Sequence, residues 1–151
     1  MSRESHLRRV LDGGIVAIVR SPDSTKLAEC TNDDQPMVVT VADGTIRPVA
    51  AGPGPTDPVA WSPDGRSLAM FSTRDGNGEM YVVDLDQPRP RRVTTASGNQ
   101  AAVAWTSAGL IVTSSEPGAD VSDWFLVDPA TGTPRVIAWL RGTPEPIAWL
   151  P

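Results

Sequence analysis

Short apolar runs punctuated by clusters of Ser, Pro, Asp, Asn and Gly recur along the chain, and none of these recurring units keeps the 3.6-residue apolar spacing of an amphipathic helix. The middle of the chain is the clearest. Pro58-Val59-Ala60-Trp61 runs into Ser62-Pro63-Asp64-Gly65, where proline presets φ for a turn and glycine accepts positive φ. Ser67 to Ser72 follows as a second strand, and Thr73 to Gly78 carries an Asp-Gly turn. Glu79 to Asp84 gives a third strand and Arg91 to Thr95 a fourth, after which the pattern begins again.

The repetition has a measurable period. A shift of 41 residues carries Ser21-Pro22-Asp23-Ser24-Thr25-Lys26-Leu27-Ala28 onto Ser62-Pro63-Asp64-Gly65-Arg66-Ser67-Leu68-Ala69, and Asp43 onto Asp84. A shift of 44 carries Val59-Ala60-Trp61 onto Val103-Ala104-Trp105 and again onto Ile147-Ala148-Trp149. The same shift moves Met80-Tyr81-Val82-Val83-Asp84 onto Trp124-Phe125-Leu126-Val127-Asp128. A period of about 40 residues means that each unit is one supersecondary element that needs neighbours to bury its faces.

The first unit then reads as strands over Ile15 to Val19, Lys26 to Cys30, Met37 to Ala42 and Thr45 to Val49. The third covers Ala101 to Trp105, Gly109 to Ser114, Asp123 to Asp128 and Pro134 to Trp139. Leu7-Arg8-Arg9-Val10 matches Pro90-Arg91-Arg92-Val93 in kind, so residues 1–12 read as the outer strand of a preceding unit or as a short helix. Trp149-Leu150-Pro151 stops where Trp61-Ser62-Pro63 continues into Asp-Gly, which predicts a chain that ends inside a repeat.

The run Trp61 to Ala69, followed by Ser72-Thr73-Arg74-Asp75-Gly76-Asn77 and Tyr81-Val82-Val83-Asp84, resembles the WD40-like (PD40) repeat of TolB-type β-propellers. The resemblance covers residues 7–151 and weakens in the third unit, where Thr106-Ser107-Ala108-Gly109 replaces Ser-Pro-Asp-Gly. It implies an all-β partial propeller of about three four-stranded antiparallel blades plus flanking strands, in which residues 13–151 divide into blades near 13–50, 57–95 and 101–140, with a further blade starting at 145–151. It also implies a non-catalytic disc that binds or scaffolds protein or peptide partners. The alternative within the same resemblance is the accessory propeller of a prolyl-oligopeptidase-type serine peptidase whose catalytic domain lies outside the chain.

Composition narrows the chemistry. A net charge of -5 is the wrong sign for a protein that neutralises phosphates along a duplex, so no nucleic-acid partner is expected. No apolar stretch approaches the roughly 20 residues of a membrane span, and the start lacks the apolar core of a secretory signal. A cytoplasmic location is the default expectation, with export if the chain belongs to a longer TolB-like or lipoprotein precursor. Incomplete closure exposes blade edges, which predicts self-association.

No catalytic, cofactor or metal site is expected. The sequence has no Gly-x-Ser-x-Gly elbow, and its only histidine is His6. Cys30, the sole cysteine, ends a strand and reads as a packed thiol. Asp75, Asn77 and Glu79 alternate like the start of a calcium loop, but the further ligands are missing and a hairpin turn explains them. One internal contrast remains: the innermost strand ends in Trp61, Trp105 and Trp149 in three units and in Arg20 in the first. Either the tryptophans pack between blades and Arg20 pairs with an acidic neighbour, or this ring near one mouth of the channel touches a partner.

Overall fold

The computed structural model describes residues 14–31, 36–49, 52, 54–87, 89–115 and 121–141. The first sheet contains β1 (Ile15–Arg20), β2 (Lys26–Thr31), β3 (Met37–Thr40) and β4 (Ile46–Pro48). The second contains β5 (Thr56–Trp61), β6 (Ser67–Ser72), β7 (Glu79–Asp84) and β8 (Arg91–Arg92). The third contains β9 (Asn99–Thr106), β10 (Gly109–Ser115), β11 (Val121–Val127) and β12 (Pro134–Arg141). Every pair is antiparallel and every strand neighbours its successor, so each sheet is a four-stranded meander. The leading strands β1, β5 and β9 lie against one another, which makes them the inner strands and places β4, β8 and β12 outside. This is the all-β partial propeller that the repeat requires. Residues 1–12, the expected blade start at 145–151, His6 and Trp149 lie outside the described residues.

Packing follows from the period-two alternation of a strand. In the middle blade Leu68, Met70, Tyr81 and Val83 point to the first blade, where they bury Ala28, Val38 and Val49. Their neighbours Ala69, Met80 and Val82 point the other way and pack with Ala102, Leu110, Val112 and Val127 of the third. A sheet covered on both faces has no solvent side, which is why Leu68 to Phe71 and Met80 to Val83 read as unbroken apolar runs. Fully burying one such side chain is worth about 1.5–3 kcal/mol, so the two blade interfaces carry the fold.

The inner strands begin earlier than the apolar pattern suggested. β5 starts at Thr56, whose buried hydroxyl donates to the Gly54 carbonyl at 3.1 Å and accepts from the Arg74 guanidinium at 2.9 Å. β9 starts at Asn99, which pairs with Ser115, and the Gln100 N–H donates to the Gly78 carbonyl at 2.8 Å, tying this end to the preceding blade. In the other direction, β3 stops at Thr40 and not at Ala42, since Val41 donates to the Thr25 carbonyl and Gly44 to the Thr40 carbonyl, both at 2.8 Å. The ladder pairing of β8 shrinks to Arg91–Arg92, although the Val93 N–H still reaches the Met80 carbonyl at 2.8 Å. Bulges fall at Val59 and Val103, in matching places 44 residues apart, and increase the local twist of the inner strands. Pro58 is tolerated beside one because β5 is an edge strand that needs no ladder donor there.

Candidate functional site

The sequence landmarks become hydrogen-bond circuits at one end of the disc. In the β5–β6 turn the Ser62 hydroxyl donates to Asp64 Oδ1 at 2.6 Å and accepts from the Ser67 N–H at 2.9 Å. The β1–β2 turn repeats this: Ser21 donates to Asp23 Oδ1 at 2.7 Å and accepts from the Lys26 N–H at 2.9 Å. Hydrogen bonds to the ionised form lower a carboxyl pKa. The Ser21 hydroxyl first, then the Thr25 N–H and hydroxyl, bring Asp23 down to about 2, and the Ser62 hydroxyl and Arg66 N–H lower Asp64. Gly65 takes φ 69° and Ser24, at the matching position of the first blade, takes φ 61°. Asp43, Asp84 and Asp128, the other recurring landmarks, each cap the next turn by accepting a backbone N–H two residues on.

Three of the four ring residues can be placed. Trp61 is 5% exposed, and its indole N–H donates to the Val19 carbonyl of the neighbouring blade at 3.0 Å, so it packs between blades. Arg20 holds the same register, paired with Leu27 as Trp61 is with Leu68. It is exposed, and its guanidinium donates to the Ser24 hydroxyl instead of an acidic group. Trp105, paired with Leu110, is half-buried against the second blade.

The feature beside Trp105 was not read from the sequence. The link from Trp61 to Leu68 runs through Ser62 to Ser67, whereas that from Trp105 to Leu110 runs only through Thr106 to Gly109. The Thr106 hydroxyl closes this short turn by donating to the Gly109 carbonyl at 3.1 Å. The missing length leaves a notch of about 530 Å³ between the second and third blades, with Trp105 in its wall and Asp64 and Asp128 on its rim. Backbone donors at Ala130 and Thr131 lower the Asp128 pKa, so both rim carboxylates are charged at neutral pH. A notch with one aromatic wall and two anions can hold a side chain.

At the opposite end, the residues with calcium-like spacing are held by side chains of the protein itself. Glu79 is fully buried and accepts from the Arg92 guanidinium, the Thr94 hydroxyl and, at 3.0 Å, the Asn77 amide. Asp75 accepts from the Tyr81 hydroxyl and lies 3.5 Å from Arg92, while Arg74 stacks 4.4 Å above the Tyr81 ring. Asn77 also donates to the carbonyls of Ala96 and Gly98, which clasps this loop to the strand entering the third blade. Among the described residues no three His, Cys, Asp or Glu side chains converge as a metal site, and Cys30 is buried. No helix among them is long and apolar enough to cross a membrane.

Three sequential meanders stacked about common inner strands define a β-propeller segment. Solved structures agree on the fold: TolB from Acinetobacter baumannii superposes with a TM-score of 0.67 at 24% identity, covering 82% of this chain and 32% of that one. Porphyromonas gingivalis dipeptidyl peptidase 4 gives 0.65 at 13% identity over 85% of this chain and 26% of that one, and the WD40 repeats of RRP9 give 0.58 at 16% over 86% and 39%. The chain thus spans between about a quarter and two fifths of these structures. No protein-family profile matches the sequence.

Proposed function

We propose that the chain is a non-catalytic propeller module that holds a protein or peptide partner at the end of the disc bearing the serine–aspartate turns. The notch beside Trp105 carries the reading: an aromatic wall with charged rim groups is the composition of a recognition pocket. Arg20 supplies the exposed position of the ring, and Trp61 supports it from within by pinning the blades. Trp149 belongs to the same proposed ring by its 44-residue recurrence. The accessory-propeller alternative has no observation of its own, because the peptidase likeness is one of fold.

The test is to fill the notch. A variant in which Thr106 to Gly109 are replaced by the longer Ser62 to Ser67 turn should melt like the parent and lose the partner recovered by affinity capture from native extract. Arg20→Ala should weaken the same capture. A partner retained equally by both variants would overturn the reading.

A further inference from the structure

One cleft of this acidic chain is lined by cations. Lys26 at the start of β2, Arg47 on β4 and Arg66 in the β5–β6 turn surround a cavity of about 420 Å³ between the first and second blades. Val38 and Val49 form its buried apolar floor, and Asp86 sits on its rim. None of the three cations makes an ion pair or a side-chain hydrogen bond among the described residues. The fields of Lys26 and Arg66 do reach Asp23 and Asp64, but the serine circuits already occupy those carboxylates. Three cations gathered in one cleft of a protein whose net charge is -5 make a local positive field that attracts anionic groups.

We infer that this cleft is the seat for the carboxylate side chains of an acidic peptide segment, an inference that rests on the reading of the chain as a partner-binding module. Guanidinium forks pair with carboxylates bidentately, and a charge-assisted pair is stronger than a neutral one. The apolar floor distinguishes a peptide from a bare anion. A free phosphate has no use for Val38 and Val49, whereas the stems and apolar neighbours of acidic side chains cover them. Asp86 accepts from peptide N–H groups and disfavours a ligand that is anionic on every side. The cleft lies on the same end of the disc as the Trp105 notch, one blade junction away, so an extended partner can use both.

The experiment is fluorescence anisotropy with the full chain and a short labelled peptide alternating glutamate with valine. Arg47 and Arg66 are exposed, so the double variant Arg47→Ala/Arg66→Ala keeps the fold, which a melting curve verifies. Loss of each charge-assisted contact weakens binding by about tenfold, so the double variant should lose on the order of a hundredfold. The glutamine counterpart of the peptide should not bind, and inorganic phosphate should not displace the acidic one below millimolar concentration. Equal binding by the double variant, displacement by stoichiometric phosphate, or no binding to the parent chain would overturn the inference. The notch-filled variant should bind the peptide normally. A failed peptide test together with a lost partner in that variant would sink the cleft and leave the module reading intact.

Discussion

Across the junction of the first two blades the indole N–H of Trp61 donates to the carbonyl oxygen of Val19 at 3.0 Å. An inner strand thus reads the backbone of the previous inner strand, with a ring buried among Val38, Leu68 and Tyr81 to hold the donor in place. Trp61→Phe keeps most of the packing and removes the donor, which should cost about 1 kcal/mol. Trp61→Ala removes both, for about 3–5 kcal/mol. Urea unfolding measures the difference; equal losses in the two variants would show that the hydrogen bond contributes nothing.

The serine–aspartate circuits should make the fold acid-sensitive. Asp23 falls from 3.8 to about 2 in the folded state, and Asp64 is lowered in the same way. A depressed folded-state pKa contributes stability that is present above the unfolded value and lost as pH falls through the folded one. The melting temperature should therefore fall between pH 3.8 and about 2, and more steeply in the parent than in Asp23→Asn. Carbon-13 titration of the Asp23 carboxyl should give a midpoint near 2, moving upward in Ser21→Ala. A midpoint at the ordinary value would refute the circuit.

Tyr81 offers the opposite sign at high pH. Burial raises its pKa to about 12 from 10.0, assisted by the hydrogen bond to Asp75 and that carboxylate's charge, against Arg74 and Arg92. The neutral phenol then contributes stability below pH 10.0 that disappears as pH rises through about 12. Tyr81 is the only tyrosine, so the tyrosinate absorbance of the intact chain reports on it alone. The midpoint should lie near 12 and drop in Asp75→Asn; ionisation at 10.0 in the folded chain would contradict the buried network.

Much of this architecture is local and was therefore readable. The shift of 41 residues that aligns Ser21-Pro22-Asp23 with Ser62-Pro63-Asp64 recurs as the same serine-to-aspartate bond, because such a turn is closed by residues within it. Asp43, Asp84 and Asp128 are visible as recurring landmarks for the same reason, since each caps its own turn. Other contacts are settled at a distance. Thr56 joins β5 by pairing with Ser72, and Asn99 begins β9 by pairing with Ser115, while Arg74 and the Gly78 N–H reach their side chains from loops far along the chain. Neither residue stands out in an apolar pattern.

The repeat alone determined that the chain forms four-stranded meanders and which faces of each strand are apolar, since alternation and turn chemistry act over a few residues. Only the tertiary structure decided what the faces meet: that Trp61 is a pin between blades while Arg20, in the same register, is exposed, and that a shortened turn opens a notch between Asp64 and Asp128. The gathering of Lys26, Arg47 and Arg66 belongs to the same category, because they come from two blades and share no sequence spacing. Stacking sets those distances, and a stack is a relation between units that no single unit encodes.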